Sequence, residues 1–424
     1  MRKLKLVILL IIIFSLSACK EDLPIIKDDT QLDVRYVKVG EQLDLNIDSL
    51  EAKYDFDDIH YNIQYDSITS DLFAYNQRNE VFAVKPGVTP FSIYLYKNEE
   101  LVVVVNYGIF IVYDLYDEDD DSWTALNSLN FYDEITSNPA GKFYLAEDID
   151  ASLELQSRSI EFFTGSLLNP YHYKIINYSR LGSTVNGLFQ EINHAYIDGL
   201  IIEDANATGN NDANSSSFGF LANAAYSSYI TNLRVTGVIV GVRGDHIGGL
   251  VGDSGGCYYR SISFEGSIIS PAYYIGGLFG KIVVHEVESL PNSITIENAY
   301  VLADLKGQRV NAHIQAFIGY VYPLSTTSSV KIYNGYFDGE ILPNTLPTVY
   351  YFTFTSYSDF ENITYRNLYT TQIENTTETR FDGDMSLINF IDDETLISGE
   401  ELEGMNGFTF VFGEYPVLKG WLQP

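Results

Sequence analysis

Hydrophobic and polar residues alternate on a period of two through much of the first hundred residues. Val34-Arg35-Tyr36-Val37-Lys38-Val39, Leu43-Asp44-Leu45-Asn46-Ile47, Val81-Phe82-Ala83-Val84 and Phe91-Ser92-Ile93-Tyr94-Leu95-Tyr96 follow this pattern, and Leu101 to Val105 is a continuous apolar run. Such segments read as strands, with Lys85-Pro86-Gly87 as a turn. Residues 31–113 are therefore expected to form a small antiparallel β-sandwich. Residues 19–30 are polar and aperiodic, as a tether would be, and residues 114–122, which include Asp117-Glu118-Asp119-Asp120-Asp121, read as an acidic linker.

Beyond residue 122 the chain repeats itself. A glycine followed by two apolar residues occurs as Gly187-Leu188-Phe189, Gly219-Phe220-Leu221, Gly249-Leu250-Val251 and Gly277-Leu278-Phe279, with a degenerate Ala316-Phe317-Ile318; the first apolar residues are 32, 30, 28 and 39 residues apart. A second marker, two inward residues separated by an outward one, occurs as Leu200/Ile202, Leu233/Val235, Ile262/Phe264, Ala299/Val301, Gly335/Phe337 and Leu368/Thr370, at steps of 33, 29, 37, 36 and 33. Two markers sharing a spacing near one solenoid turn imply stacked coils. Only short strands fit within a period, so residues 123–424 are expected to form a β-solenoid. The glycines of the first marker are expected to hold coil corners at positive φ.

Insertions fall in one arc. The distance from first to second marker is 12 or 13 residues in the early coils and 21 and 18 in the later ones, which puts the extra length at His285 to Ser293 and Val321 to Ser329. Loops leaving one side of a solenoid build a single face, so His285, Glu286, Glu288, Tyr322 and Thr326 are the candidate binding residues.

Gly248-Gly249-Leu250-Val251-Gly252 and Gly276-Gly277-Leu278-Phe279-Gly280 resemble the GLUG repeat of bacterial surface proteins. Tyr415-Pro416-Val417-Leu418 resembles the closing segment of such chains, and Val81 to Tyr96 resembles half of a bacterial Ig-like domain. These resemblances imply an all-β chain: a small Ig-like β-sandwich followed by a right-handed parallel β-helix with a C-terminal cap. At the other end, Arg2, Lys3 and Lys5 precede an apolar run, Leu6 to Phe14, too short for a permanent span, so residues 1–18 read as a secretory signal. Leu16-Ser17-Ala18-Cys19 resembles a lipobox, which implies acylation of Cys19 and attachment to the cell membrane or outer membrane. Lys20-Glu21-Asp22 resembles the surface-export signal of some lipoproteins from two-membrane cells, which implies display on the outer face.

Charge narrows the partners. Loss of Arg2, Lys3 and Lys5 with the leader leaves 22 basic residues against 57 acidic ones, a net charge of −35, so nucleic acid is excluded as a partner. Calcium is the one cofactor the acidic run invites, yet Ser122 stands where an EF-hand loop needs glycine. Lipidation leaves Cys257 alone, so no intramolecular disulfide is available.

A search for catalytic groups yields one cluster, Arg243, Asp245, His246 and Asp253, for which a polar turn is the favoured reading. His285-Glu286 lacks the second histidine of a zinc-protease helix, because Ser289 occupies its place, and Gly252-Asp253-Ser254-Gly255-Gly256 only echoes a serine-nucleophile turn. Tyrosines accompany the repeats at Tyr226, Tyr229, Tyr258, Tyr259, Tyr273, Tyr274, Tyr300, Tyr333 and Tyr336, and core packing is favoured for them. The expected function is non-catalytic surface binding to a glycan or an extracellular protein. A carbohydrate-active β-helix enzyme and a structural envelope protein are the alternatives.

Overall fold

The computed structural model describes residues 34–43, 60–62, 72–75, 80–97, 100–153, 158–182, 185–209, 217–284, 286–287, 290–291, 293–310, 312–323, 329–342, 363–371 and 388–419. The chain divides into two compact units. One comprises Met1–Arg35, Asp44–Ser67 and Pro90–Ile109; the other comprises Tyr36–Leu43, Ile68–Thr89 and Phe110–Pro424. In the first, His60–Asn62 pairs antiparallel with Tyr94, Leu95 and Tyr96. In the second, Phe73–Tyr75 pairs antiparallel with Val81–Ala83, and from Trp123 onward the pairing is parallel except in two short hairpin pairs, Glu286–Val287 with Leu290–Pro291 and Phe408–Thr409 with Val417–Leu418.

That parallel part is almost entirely β and repetitive. Its strands fall into a fifteen-stranded, a six-stranded and a four-stranded sheet, and each coil of chain adds one layer to the stack. A seven-residue helix, Phe131–Ser137, buries Phe131 and Ile135 against the first layers. The core is a set of columns in which like sits on like. One runs Phe143, Leu167, Ile197, Ile230, Tyr259, Ile296, Ile332, Tyr365 through successive registered pairs. Another runs Ile160, Phe189, Ala222, Val251, Phe279, Ile318. Each buried large side chain contributes about 1.5–3 kcal/mol, and removing one leaves a cavity flanked by its neighbours above and below.

The second repeat marker is in register throughout: Ile202, Val235, Phe264, Val301, Phe337 and Thr370 are successive partners. The first marker carries a one-residue slip, since Phe189 pairs with Ala222 and not with Leu221. Phe220 and Leu221 both donate their N–H groups to the layer of Gly249 and Leu250, so that coil absorbs one extra residue at its turn.

Positive-φ corners do not lie at Gly249 and Gly277. They lie at Gly199, Asn232, Ser261, Asn298, Asn334 and Asn367, one residue before each copy of the second marker, with φ between 50° and 80°. Asparagine tolerates this region because its short amide bonds locally. Here the amides also join the layers: Asn334 Nδ2 donates to Asn298 Oδ1 at 3.3 Å and Asn367 Nδ2 to Asn334 Oδ1 at 2.9 Å. Gly249 and Gly277 are required for a different reason. A Cβ on Gly249 would overlap the Gly277 carbonyl and the Phe264 ring, and one on Gly277 would overlap the Ala316 carbonyl and Val301.

These two causes separate experimentally. Asn334→Val is expected to lose about 2–3 kcal/mol, from left-handed backbone strain together with the amide bonds, whereas Asn334→Gly loses only about 1 kcal/mol. Gly249→Ala, a change harmless to backbone freedom, is expected to cost on the order of 1–3 kcal/mol through overlap. Urea melts of the three variants check this; a Gly249→Ala melt like wild type would show that the close approach relaxes freely.

Candidate functional site

Outward-facing aromatic side chains form three ladders on the solenoid, and the chain covers two of them with its own segments. Tyr196, Tyr229 and Tyr258 are successive register partners, the first two stacked at 5.2 Å. Tyr36 lies edge-on to Tyr229 at 6.2 Å and shares a hydroxyl contact of 3.3 Å with Tyr258, while Tyr113 covers Tyr196. Tyr300, Tyr336 and Tyr369 form the second ladder, with the first two rings at 5.1 Å. The closing segment covers it with Leu396, Met405, Phe408 and Leu418; the Tyr336 hydroxyl donates to the Pro416 carbonyl at 2.6 Å. Both ladders are thus structural.

Among the described residues no segment covers the third ladder. His246, Tyr274 and His313 are register partners on three successive coils of the four-stranded sheet, stacked at 5.6 and 5.2 Å. The glycine that follows the two apolar residues of the first marker, Gly280 in one coil and Gly319 in the next, creates this arrangement. A Cβ on Gly280 would strike the backbone of His246 and Ile247, and one on Gly319 would strike that of Ile275, so these residues let the short strands lie directly on the six-stranded sheet with no side chain between. The imidazoles and the phenol therefore point away from the core, beside the outward residues of the neighbouring sheet. There Asp253, Lys281 and Tyr320 occupy one register row.

The two rows touch. His246 Nδ1 stands 3.0 Å from Asp253 Oδ1, the one part of the sequence cluster that the fold assembles; Arg243 and Asp245 are exposed on the preceding turn. Neither atom of this pair meets an aligned hydrogen bond, so the contact is a close approach without hydrogen-bond geometry. Tyr274 stacks on Tyr320 at 4.5 Å, and Tyr320 leads to Tyr322 at 6.2 Å. Lys281 Nζ lies 5.6 Å from the Tyr322 ring centre, a cation–π contact worth about 0.5–1 kcal/mol where exposed. Partial burial pushes the His313 imidazole below its usual range and the Tyr320 phenol above its own. Tyr226 is pushed up to about 12, by burial first and by Asp253 and Glu191 next, so it remains a protonated donor at neutral pH. The face offers flat rings, hydroxyls, one ammonium and one carboxylate, a set suited to stacking and hydrogen bonding with a ligand.

Of the insertion-arc residues, Tyr322 belongs to this face, exposed by 43%. It stands near the end of the strand Ile318–Pro323 and not in a loop, so the second insertion begins later than the spacing implied. Glu286 lies in a strand pair, Glu286–Val287 with Leu290–Pro291. His285, Glu288, Thr326 and Cys19 lie outside the described residues. Ser254, the candidate nucleophile, is fully buried, and its hydroxyl meets that of Tyr259 at 2.6 Å inside the coil. Cys257 is likewise interior, its thiol pushed up by burial. Among the tyrosines, Tyr259 is core, Tyr229, Tyr258, Tyr300 and Tyr336 are buried under the covering segments, and Tyr273 is exposed by 40%. Among the described residues no three His, Cys, Asp or Glu side chains are placed to hold a metal ion, and no helix is long and apolar enough to cross a membrane.

Stability should report the His313 environment. A histidine whose folded pKa is lowered contributes stability that is complete above the unfolded value, 6.5, and lost as pH falls below it. Melting temperatures measured between pH 7.5 and pH 5.5 (about one unit either side of that value) are expected to fall less for His313→Gln than for wild type. Equal slopes would show that the imidazole titrates as if free in solution.

No protein-family model matches the chain, and no curated protein matches it. Among solved structures it is similar to a Bacteroides ovatus protein provisionally assigned as an immunoglobulin A1 protease, at 13% identity and a TM-score of 0.46 over 71% of this chain and 93% of that one. It is also similar to an IgA1 protease, at 14% identity and a TM-score of 0.34 over 70% of this chain, which spans 25% of that protein's length.

Proposed function

We propose that this chain is a lipid-anchored surface-binding protein that uses the His246–Tyr274–His313 face to hold a glycan or an extracellular protein. In this reading Cys19 carries the acyl chains, residues 31–113 form an Ig-like spacer, and residues 123–424 wind as a right-handed β-helix of the GLUG type. One observation carries the proposal: of three outward aromatic ladders among the described residues, two are covered by the chain's own segments and the third, beside Lys281 and Tyr322, has no described segment over it. An uncovered ladder of rings places apolar area in water that a folded chain otherwise buries, and a ligand that stacks on it recovers that area.

Carbohydrate cleavage is the competing reading, favoured by the His246–Asp253 approach. Hydrolysis of a glycosidic bond by the usual route needs two carboxyl groups flanking the bond, and Asp253 is the carboxylate placed on this face.

The full-length protein should be screened against immobilised glycans and matrix proteins, with release of reducing ends measured on the same panel. Tyr274→Ala with Tyr320→Ala is expected to weaken binding by roughly 5–100-fold, two stacking contacts of about 0.5–1.5 kcal/mol each, with an unchanged melting temperature. Binding equal to wild type would remove the face from consideration, and reducing-end release that depends on Asp253 would establish the enzyme instead. Cys19→Ser is expected to abolish lipid labelling and move the protein out of the membrane fraction.

A further inference from the structure

Beyond Tyr258 the long sheet carries two adjacent rows of outward residues that the ladders do not use. One continues the first tyrosine ladder past its cover, as Tyr258, Thr295, Lys331 and Thr364 in successive coils. The other runs Arg260, Glu297, Tyr333 and Arg366 through the same coils. The rows are two residues apart along each strand, so they lie side by side on one face of the sheet.

Several basic side chains of the solenoid are paired with acids. Lys142, Lys174 and Arg234 each meet a carboxylate, at 3.0, 2.9 and 3.1 Å. Among the described residues Lys331 and Arg366 have no carboxylate within ion-pair distance. In a chain with 57 acidic residues against 25 basic ones, two cations on adjacent coils with no acid among the described residues in ion-pair reach make a locally positive strip. Lys331 is half-buried, and that burial pushes its ammonium below the usual range, so the fold holds an uncompensated charge partly out of water. Glu297, the one acid of the two rows, accepts from the Tyr258 hydroxyl, and its charge also reaches the Arg260 guanidinium and the Tyr333 phenol.

We propose that this strip is a binding site for an anionic polysaccharide, with Lys331 and Arg366 taking its carboxylate or sulfate oxygens and Thr364 and Tyr333 its hydroxyls. The two cations sit on adjacent coils, one row apart, with hydroxyls between them. A polymer with an acid group on a hydroxyl-bearing backbone matches that alternation, whereas an acidic peptide offers few hydroxyls to the Thr and Tyr positions. The large negative charge of the chain does not forbid this. At physiological ionic strength charges beyond about 8 Å are largely screened, so the groups lining the strip decide the local potential. The site is separate from the His246–Tyr274–His313 face and stands or falls independently of it.

Full-length protein should be tested for binding to heparin, polygalacturonate, dextran and poly-glutamate. The expected result is retention of heparin, polygalacturonate or both, with dextran and poly-glutamate not retained; heparin alone assigns the oxygens to sulfate and polygalacturonate alone to carboxylate. Lys331→Met and Arg366→Met are each expected to weaken binding about tenfold or more, the loss of a charge-assisted hydrogen bond, while Lys331→Arg keeps it. Lys331→Met removes a half-buried cation and should melt at or above the wild-type temperature, so its loss of binding reports the site and not the fold. Retention of neither acidic polysaccharide, dextran retention equal to theirs, poly-glutamate retention that depends on Lys331, or unchanged binding in both methionine variants would each overturn the proposal.

Discussion

Parallel in-register stacking is the constraint from which the rest of this molecule follows. Each coil donates its backbone hydrogen bonds to the coil above, so a residue's neighbours are fixed by its position in the repeat and not by its distance in sequence. Ile230 must tolerate Ile197 on one side and Tyr259 on the other, and Phe264 must sit between Val235 and Val301. The same rule applies to the corner. Once one coil turns through a left-handed residue at Asn298, its neighbours must turn there too, and the asparagine side chains gain bonds to each other because they are stacked. A single glycine at that position satisfies the backbone, as Gly199 does, but gives up the amide contact.

Stacking of like on like also creates a difficulty on the outside of the coils. An outward tyrosine repeated in three layers makes a strip of aromatic surface, and a folded chain must cover it or use it. The chain covers one strip with Tyr36 and Tyr113 and another with the segment that ends in Pro416 and Leu418. Gly404 and Gly407 let that segment lie so close to Asn367 and Asn298 that a Cβ at either position would overlap the amide. The covering segments are therefore fitted to the corner ladder as well as to the rings. Among the described residues, the strip left without such a cover is the one built on His246, Tyr274 and His313.

What could be read from the sequence follows the same division. The inward marker was legible because side chains in a column must be apolar in every layer, and all its copies register in the structure. The role of the repeat glycines was not legible, since positive φ and close approach both demand glycine and only coordinates separate them. The asparagine corner left a signal one residue before the marker, as Asn232-Leu233, Asn298-Ala299, Asn334-Gly335 and Asn367-Leu368, and a search for conserved apolar spacing passes over it. The third ladder was also present, as His246-Ile247-Gly248, Tyr274-Ile275-Gly276 and His313-Ile314-Gln315, but two different ring types at one position do not register as a repeat. The insertion arc drew attention to Tyr322, which proved to lie in a strand. Length differences locate where coils depart from the period, and they are silent about where a strand ends.

A solenoid builds rows more readily than clusters, and this shapes what its surface can recognise. Positions one coil apart are about 4.8 Å apart and share a direction, so equivalent side chains present the same chemistry at a fixed interval. Convergence of several different groups on one point requires loops from separate layers to bend toward each other. Recognition by rows instead favours an extended ligand that meets a modest contact on each coil, and linked modest contacts add in the exponent, so overall affinity rises steeply with the number of coils engaged. Both surfaces singled out here have that form: rings stacked over three coils on one face, and cations on adjacent coils of another. A polymer long enough to span several layers satisfies either, and a small molecule touching one layer gains little from the repetition.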